Sequence, residues 1–279
     1  MRKILSFEEY STLSLYPTLK SSCSKIGIKY REFLEIKIVY NELCGSDLVA
    51  DEWINYLFIL YEQSWDVSSI TDFRRIGALQ FQTLRSICSL VQNTINDALE
   101  TFYLTEFVQS KLVFQYSFQL QINTLTTEFI RLLSKTILRK LHFIQNITAQ
   151  SLFMTGASVI SVRPVLAYQP FLEYSTPFPG INYTFTDGST CICSSSTSTD
   201  CLGPTSFQNE IIPGFQTGCY TVSALLQSTL EAFLNQTFID ILTNSSHIFR
   251  QLNSSIFSST IETLLSQLFI LQWLNQTSY

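Results

Sequence analysis

Residues 84–102 read LRSICSLVQNTINDALETF, and this stretch decides the fold class. Its apolar side chains recur at the i, i+3, i+4, i+7 spacing of one helix face over about five turns. They are Leu84, Ile87, Cys88, Val91, Ile95, Ala98, Leu99 and Phe102. The stretch lies within residues 78–155, which contain neither glycine nor proline, so no strong helix breaker interrupts it. It therefore predicts a long amphipathic helix.

The same pattern predicts helices on both sides of this one. A second stripe covers 118–144, and the change of phase near 105–117 indicates either two helices or one bent helix. The residues of this stripe are Phe118, Ile122, Leu125, Phe129, Leu132, Leu133, Leu141 and Ile144. Upstream, Ser46 or Asp47 can cap a helix over 48–64, whose first turn is acidic. Helical structure is therefore expected from residue 46 to about residue 155.

The last part of the chain predicts a helical hairpin after a turn-rich insert. Stretches 223–242 and 255–274 each carry an amphipathic stripe. Six of the nine glycines and six of the seven prolines lie between Gly156 and Gly218, which is typical of loops and short edge strands. We therefore predict a single, mostly α domain over 1–279. Its parts are an N-terminal arm at 1–45, a helical region at 46–155, a disulfide-rich irregular or short-β insert at 156–219, and a helical hairpin at 220–279.

Composition limits the classes of function. Charged residues are 14% of the chain, against roughly 25% in ordinary soluble domains. The net charge of −5 is spread without basic blocks, which argues against nucleic acid as a partner. The longest apolar runs, 56–61 and 268–274, are under half of the roughly 18–20 residues that a bilayer requires. The start, MRKILSFEEYS, has no apolar core typical of a signal peptide, so we expect neither a leader nor a membrane helix within these residues.

Four cysteines, Cys191, Cys193, Cys201 and Cys219, form the pattern C-x-C-x7-C-x17-C. Zinc sites usually present paired C-x2-4-C knuckles, and a redox pair would need C-x-x-C in a βαβ setting. Unrelated buried thiols are a poor alternative, because 194–200 is polar and offers nothing to bury them. We therefore predict disulfides from Cys191 and Cys193 to Cys201 and Cys219, in one order or the other.

The three other cysteines, Cys23, Cys44 and Cys88, bring the total number of cysteines to an odd number. A bridge between Cys23 and Cys44 is plausible. Cys88 would then remain as an ordinary buried thiol on the apolar face of the long helix. With seven cysteines in total, one thiol must stay unpaired or bond between chains.

Six of the twelve asparagines lie in Asn-x-Ser/Thr sequons, the acceptor motif for N-glycosylation. They are Asn146, Asn182, Asn235, Asn244, Asn253 and Asn275. Chance alone would give about three in a chain so rich in Ser and Thr. Together with the cysteines, they indicate an oxidising, glycosylating compartment. The alternative is a Ser/Thr-rich cytosolic protein whose sequons are idle.

The sequence predicts no catalytic, cofactor or metal site. The two histidines, His142 and His247, have no local partner pattern, and no nucleophile, zinc or phosphate-loop motif is present. Asp51 and Glu52 belong to the first turn of a helix. Structural roles account for these residues, so we expect a protein that is not an enzyme.

Four stretches resemble a large family of uncharacterised, membrane-anchored invertebrate proteins. They are EYSTLSLYPTLKSSCSKIGIKYREF, LCGSDLVADEWINYLF, DFRRIGALQFQTLRSICSLVQNTINDALETF and IIPGFQTGCYTVSALLQSTLEAFLNQTFID. The resemblance implies an ectodomain held between N- and C-terminal transmembrane helices, both absent from this chain. The chain departs from the family at Ser21, Ala232 and Phe238, where its members carry cysteines.

These features together predict an extracellular helical ectodomain with a binding or structural role and no catalysis. Its partner would be a protein or a surface ligand, and it would meet a membrane only through the anchors that this chain lacks. The alternative is a soluble intracellular helical scaffold with reduced thiols.

Overall fold

The computed structural model describes residues 27–63, 71–108, 115–151, 182–184, 190–192, 201–245 and 248–277. Helix is the main regular structure in these ranges, which confirms the mostly α prediction at that level. The described helices are α1 (Asp51–Glu62), α2 (Phe73–Leu104), α3 (Gln115–Ser151), α4 (Thr221–Gln227), α5 (Gln236–Thr243) and α6 (Ile261–Ser266).

Short strands pair as antiparallel two-stranded ladders, β1 with β3, β2 with β8, β4 with β5 and β6 with β7. The first four strands are β1 (Gly27–Lys29), β2 (Leu34–Tyr40), β3 (Glu106–Val108) and β4 (Asn182–Thr184). The other four are β5 (Thr190–Ile192), β6 (Leu202–Phe207), β7 (Glu210–Gly218) and β8 (Ile270–Thr277).

Helix α2 forms the centre of the domain. Asp72 caps its first turn, since its carboxylate accepts a hydrogen bond from the backbone N–H of Arg74 at 2.9 Å. Eleven of its residues are buried, and they include the predicted Leu84, Ile87, Cys88, Val91 and Ile95. The helix thus buries the first part of the stripe from which it was predicted, whereas Ala98, Leu99 and Phe102 are partly exposed.

An aromatic cluster packs against the N-terminal half of α2. The Phe81 ring lies 5.6 Å from Trp53 of α1 and 5.1 Å from Phe233, both edge to face. It also stacks on Phe215 of β7 at 5.9 Å. All four side chains are at most 1% exposed. Rings in these arrangements contribute beyond their buried area, so the core joins α1, α2, β7 and the segment before α5.

Helix α1 begins at Asp51 rather than at residue 48, because Asp47–Val49 is a separate 3-10 turn. Of the two alternatives for 105–117, the structure has two helices. Helix α2 ends at Leu104, and β3 follows it. The two helices run antiparallel, since the tilted rings of Phe102 and Phe129 have centroids 4.5 Å apart, while Lys140 reaches back to Thr94.

The helical hairpin predicted for 220–279 is wrong. Helix α4 stops after two turns because tertiary contacts replace its hydrogen bonds. The N–H of Thr229 donates to the Gly214 carbonyl at 2.7 Å, and that of Leu230 donates to the Phe257 carbonyl at 2.9 Å. Gly214 has φ +70° and sits directly against Thr229, where a Cβ atom would clash. A 3-10 turn follows at Glu231–Leu234, and α-helix resumes at α5, where the Asn235 side chain caps the first turn.

The predicted second helix of the hairpin, over 255–274, shrinks to the six residues of α6. Leu268 and Phe269 adopt left-handed backbone angles, φ 59° and 53°, and β8 follows. β8 pairs with β2 in a register that places Leu34 opposite Thr277 and Ile38 opposite Trp273. The alternating sequence of β2, LEIKIVY, offers β8 a hydrogen-bonding partner. This pairing outweighs the weak helix preference of the β8 residues. Residues 27–45 are therefore part of the fold, rather than the arm that was predicted.

The insert is described only in part. β6 and β7 form a hairpin whose turn residues, Gln208 and Asn209, have positive φ, as tight hairpin turns require. This part agrees with the short-β prediction. The rest of the prediction for 156–219 falls outside the described residues, apart from the β4–β5 ladder.

Candidate functional site

The outer face of α3 is the most distinctive surface in the described part of the chain. α3 carries seven of the sixteen large hydrophobic side chains that are exposed there. They are Tyr116, Leu120, Leu125, Leu132, Phe143, Ile144 and Ile147. Of these, Leu125, Leu132, Phe143 and Ile147 recur at helical spacings and share one side of α3, whereas Tyr116 and Leu120 lie on a different side. Contiguous exposed apolar patches, unlike single residues, are typical of interaction sites.

This exposure corrects part of the predicted stripe. The buried side chains of α3 are Ile122, Thr126, Leu133, Ile137, Leu141 and Thr148. Leu125, Leu132 and Ile144 belonged to the predicted apolar stripe, yet they are 37%, 51% and 38% exposed. The helix has more apolar positions than one face holds, so periodicity alone did not identify the buried face.

The charge of α3 opposes that of the whole chain. Arg131, Lys135, Arg139 and Lys140 are its basic residues, and Glu128 is its only acidic residue. Glu128 pairs with Arg131 on the exposed surface. The result is a positive, partly apolar helix face on a protein with a net charge of −5.

Two cavities follow the seam between α2 and α3, which we call the α2–α3 groove. One, of about 520 Å³, has mostly polar and aromatic walls, and its residues are Thr94, Asp97, Ala98, Thr101, Phe102, Thr105, Phe129 and Lys140. The other, of about 320 Å³, is lined by Gln82, Thr83, Ser86, Ile87, Leu90, Leu141, Ile144 and Val222. Hydroxyl and amide groups on apolar walls suit hydrogen bonding to an extended ligand.

The groove brings together few groups that could do acid–base chemistry. In the larger cavity, the Lys140 amine donates to the Thr94 hydroxyl at 3.2 Å. His142 lies outside both linings, with its side chain 60% exposed and its Nε2 atom 3.9 Å from Glu262. That distance is too long for a hydrogen bond. His247 falls outside the described residues. Within the described ranges, no three His, Cys, Asp or Glu side chains are grouped as metal ligands would be.

The cysteine pairing differs from the prediction. Cys44 bonds to Cys88, with a Cα–Cα distance of 5.5 Å, so the Cys23–Cys44 bridge and the free buried Cys88 thiol are both wrong. Cys88 is 3% exposed on α2, and Cys44 lies on the short 3-10 turn Leu43–Gly45, which packs against that helix. The helical stripe had already predicted that Cys88 lies in the core. It could not identify the chain segment that faces this residue.

Cys201 and Cys219 each take part in a disulfide bond. Cys201 immediately precedes β6 and Cys219 immediately follows β7, and they are 4% and 1% exposed. The side chains of Cys191 and Cys193 lie outside the described residues, so their pairing stays a prediction.

The sequon asparagines with described side chains, Asn146, Asn235, Asn244, Asn253 and Asn275, are all exposed. Three of them have side-chain hydrogen bonds. Asn235 caps α5, Asn253 donates through Nδ2 to Glu42 at 3.2 Å, and Asn275 donates to Asn123 at 3.2 Å. The Asn182 side chain is outside the described residues.

Two acidic residues hold the loop before residue 255. Sequence reasoning missed Glu42, and it gave Asp47 a capping role, whereas α1 begins at Asp51 without a side-chain cap. The Glu42 carboxylate accepts hydrogen bonds from the backbone N–H groups of Asn253 and Ser254. Asp47 accepts from the backbone N–H of Arg250 at 2.9 Å and also pairs with its guanidinium. Hydrogen bonds from Arg250 lower the pKa of Asp47 below its ordinary value. These partners are about 200 residues away in sequence, so no local pattern reveals them.

No described helix is both long enough and apolar enough to cross a bilayer. No protein-family model matches the chain, and no curated protein or solved structure shows significant similarity to it. The resemblance to a family of membrane-anchored invertebrate proteins therefore stays a prediction.

Proposed function

We propose that this chain is a disulfide-bonded, N-glycosylated extracellular domain of a membrane-anchored protein, with a binding or structural role and no catalytic one. The observation that carries the proposal is the state of the cysteines. All four cysteines with described side chains, Cys44, Cys88, Cys201 and Cys219, are disulfide-bonded. Disulfides persist in oxidising compartments and are rare in the cytosol of most cells.

The Cys44–Cys88 bond lies in the core, where it is expected to stabilise the folded domain. It ties the segment before α1 to the middle of α2 and closes a loop of 44 residues. Cross-links over loops of this length contribute about 2–4 kcal/mol, largely by restricting the unfolded chain. A domain with this bond in its core is expected to fold in the secretory pathway.

The exposed sequons support the same compartment. An N-glycan is bulky and must project from the surface, and five of the six sequon asparagines meet that condition. Asparagine is usually exposed whether or not it is glycosylated, so the exposure permits modification, and the support comes from the number of sequons. Glycans would also solvate a surface that has few charges.

The binding role rests on the outer face of α3 and the adjoining α2–α3 groove. Leu125 and Leu132 offer apolar contact beside the cations Lys135 and Arg139. A second copy of the same face would bring these cations against each other, which disfavours self-association through α3. An acidic protein surface with apolar side chains is the partner that this face fits.

The compartment can be tested by expressing the chain in eukaryotic cells behind a cleavable secretory leader. We expect a faster-migrating band after glycosidase treatment, a mobility change with reductant, and a Cys44–Cys88 cross-linked peptide in mass spectra. The same chain without the leader, and a variant with all six sequon asparagines changed to Gln, are the matched controls. A secreted protein that responds to neither treatment would refute the proposal and favour the intracellular scaffold.

A further inference from the structure

One sequon stands apart from the others because of its neighbours on α3. Asn146 is exposed near the end of α3, and Phe143, three residues before it, is 65% exposed. Ile147 is 49% exposed, four residues after Phe143. Residues three and four apart lie side by side on a helix surface, with Cβ atoms roughly 5–6 Å apart. The acceptor amide therefore adjoins a small apolar patch.

We propose that the first sugar of an N-glycan on Asn146 packs on Phe143 and Ile147 and covers this end of the α3 face. This inference rests on the proposed function, because it requires a glycosylating compartment. A pyranose ring carries C–H groups on its faces, and these suit the electron-rich face of a phenyl ring. A sugar in this position explains why the Phe143 side chain is 65% exposed in the protein alone. No second protein is needed to cover it.

The other described sequons lack this arrangement. Asn235 follows Ala232 by three residues, and Ala232 is 7% exposed. The amides of Asn253 and Asn275 already donate within the fold, and Asn244 follows Ile241, which is aliphatic. Among the sequon asparagines whose side chains are described, Asn146 alone follows an exposed aromatic residue at helical spacing.

Occupancy is the first measurement. The secreted chain is treated with an amidase that converts glycosylated Asn to Asp, and the peptide containing residue 146 is examined by mass spectrometry. We expect conversion at Asn146. An unmodified Asn146 beside modified Asn235 and Asn253 would overturn this inference while leaving the proposed function intact. Unmodified sequons throughout, together with reduced cysteines, would overturn both.

Packing is tested by a double-mutant cycle on the glycosylated protein. We expect Asn146→Gln to lower the melting temperature by about 2–4 °C, as a loss of roughly 1 kcal/mol does in a chain of this size. In the Phe143→Ala background, Asn146→Gln should then change nothing, because the partner of the sugar is already gone. Phe143→Trp should retain the effect and Phe143→Leu should lose it, since only an aromatic face serves.

The matched control is Thr237→Ala, which removes the glycan from Asn235 while keeping its capping side chain. Its effect should be the same with and without Phe143→Ala. Additive effects of Asn146→Gln and Phe143→Ala in the occupied glycoprotein would show that the sugar does not touch Phe143. That result would overturn the inference and leave the patch open to a protein partner.

Discussion

Helices α2 and α3 are similar in length and lie side by side, yet they have opposite surroundings. α2 buries eleven residues and has α1, α4, β6 and β7 around its N-terminal half. α3 buries six of the residues whose side chains are described, and it exposes seven large apolar ones. The first helix organises the core, and the second presents a surface.

The difference arises from what surrounds each helix rather than from its own sequence. Trp53, Phe215 and Phe233 all converge on Phe81 of α2. α3 contacts α2 along one side and α6 near the Ser134–Ser266 hydrogen bond. Near its first turns it also meets β3, where Phe118 packs on Phe107, and β8, where the Thr277 hydroxyl donates to Gln119. Its far side faces solvent. An amphipathic stripe therefore predicts a helix reliably, but it does not predict how many neighbours that helix will have.

The largest expected effect comes from truncating a matched pair of phenylalanines. Phe81→Ala on α2 should lower the free energy of unfolding by about 3–5 kcal/mol, because it leaves a cavity among aromatic rings. Those rings are Trp53, Phe73, Phe215 and Phe233. Phe143→Ala on α3 should change it by less than about 0.5 kcal/mol in protein made without glycans. Urea unfolding monitored by circular dichroism measures both. Equal effects would mean that α3 is as deeply packed as α2.

The next effect tests the link that fixes α2 to the segment before α1. Cys44→Ala combined with Cys88→Ala should cost about 2–4 kcal/mol, since the unfolded chain regains the freedom of the closed loop. Thermal unfolding of the purified double variant measures this cost. Cys23→Ala is the control and should leave the Cys44–Cys88 peptide intact. A cross-linked Cys23–Cys44 peptide would contradict the assignment.

A smaller effect compares one polar residue on each helix. Asp72→Ala removes a 4%-exposed cap that also pairs with the Arg74 guanidinium, and it should cost about 1–2 kcal/mol. Glu128→Ala breaks only an exposed pair within α3, and it should be nearly silent. Chemical denaturation measures the free energy of unfolding of both variants and distinguishes the two effects. A large loss from Glu128→Ala would show that the outer face of α3 is structural.

The smallest effect concerns pH and the surface contact of Asp47 with Arg250. Because Arg250 lowers the folded-state pKa of Asp47, the contact stabilises the protein above the unfolded-state pKa, which is about 3.9. That stabilisation disappears as the pH falls through the lower folded-state value. Asp47→Asn should therefore be less stable than the wild type at pH 6, and the difference should shrink as the pH falls below about 3.9. A difference that stays constant down to pH 2 would exclude this linkage.

The sequence was sufficient to predict the two long helices, but it was not sufficient to predict the tertiary contacts that complete the fold. The 84–102 stripe and the absence of glycine and proline over 78–155 sufficed for α2 and α3, because helix periodicity is local. β8 could not be foreseen, since LFILQWL fits a helix as well as a strand until β2 provides a partner. For the same reason, Cys88 was placed correctly in the core while its bond to Cys44 was missed.

The candidate surface was predictable only in outline. Sequons are read directly from the sequence, and their exposure could be expected. The exposed positions Leu125 and Leu132 could not be expected, because their residue types favour a core. The Glu42 and Asp47 contacts depend on a loop about 200 residues away, and only the folded chain brings those groups together.

The β2–β8 ladder has a consequence for the order in which the domain folds. It joins Leu34 near the beginning of the chain to Thr277 near its end. During synthesis, residues as late as Phe233 and Phe257 must emerge before the core around α2 is complete, and β2 must wait longer still for β8. Non-local pairings of this kind form slowly and leave strand edges exposed in the meantime. The ladder therefore acts as a late closing step, and we expect the newly made chain to need chaperone protection until β8 is in place.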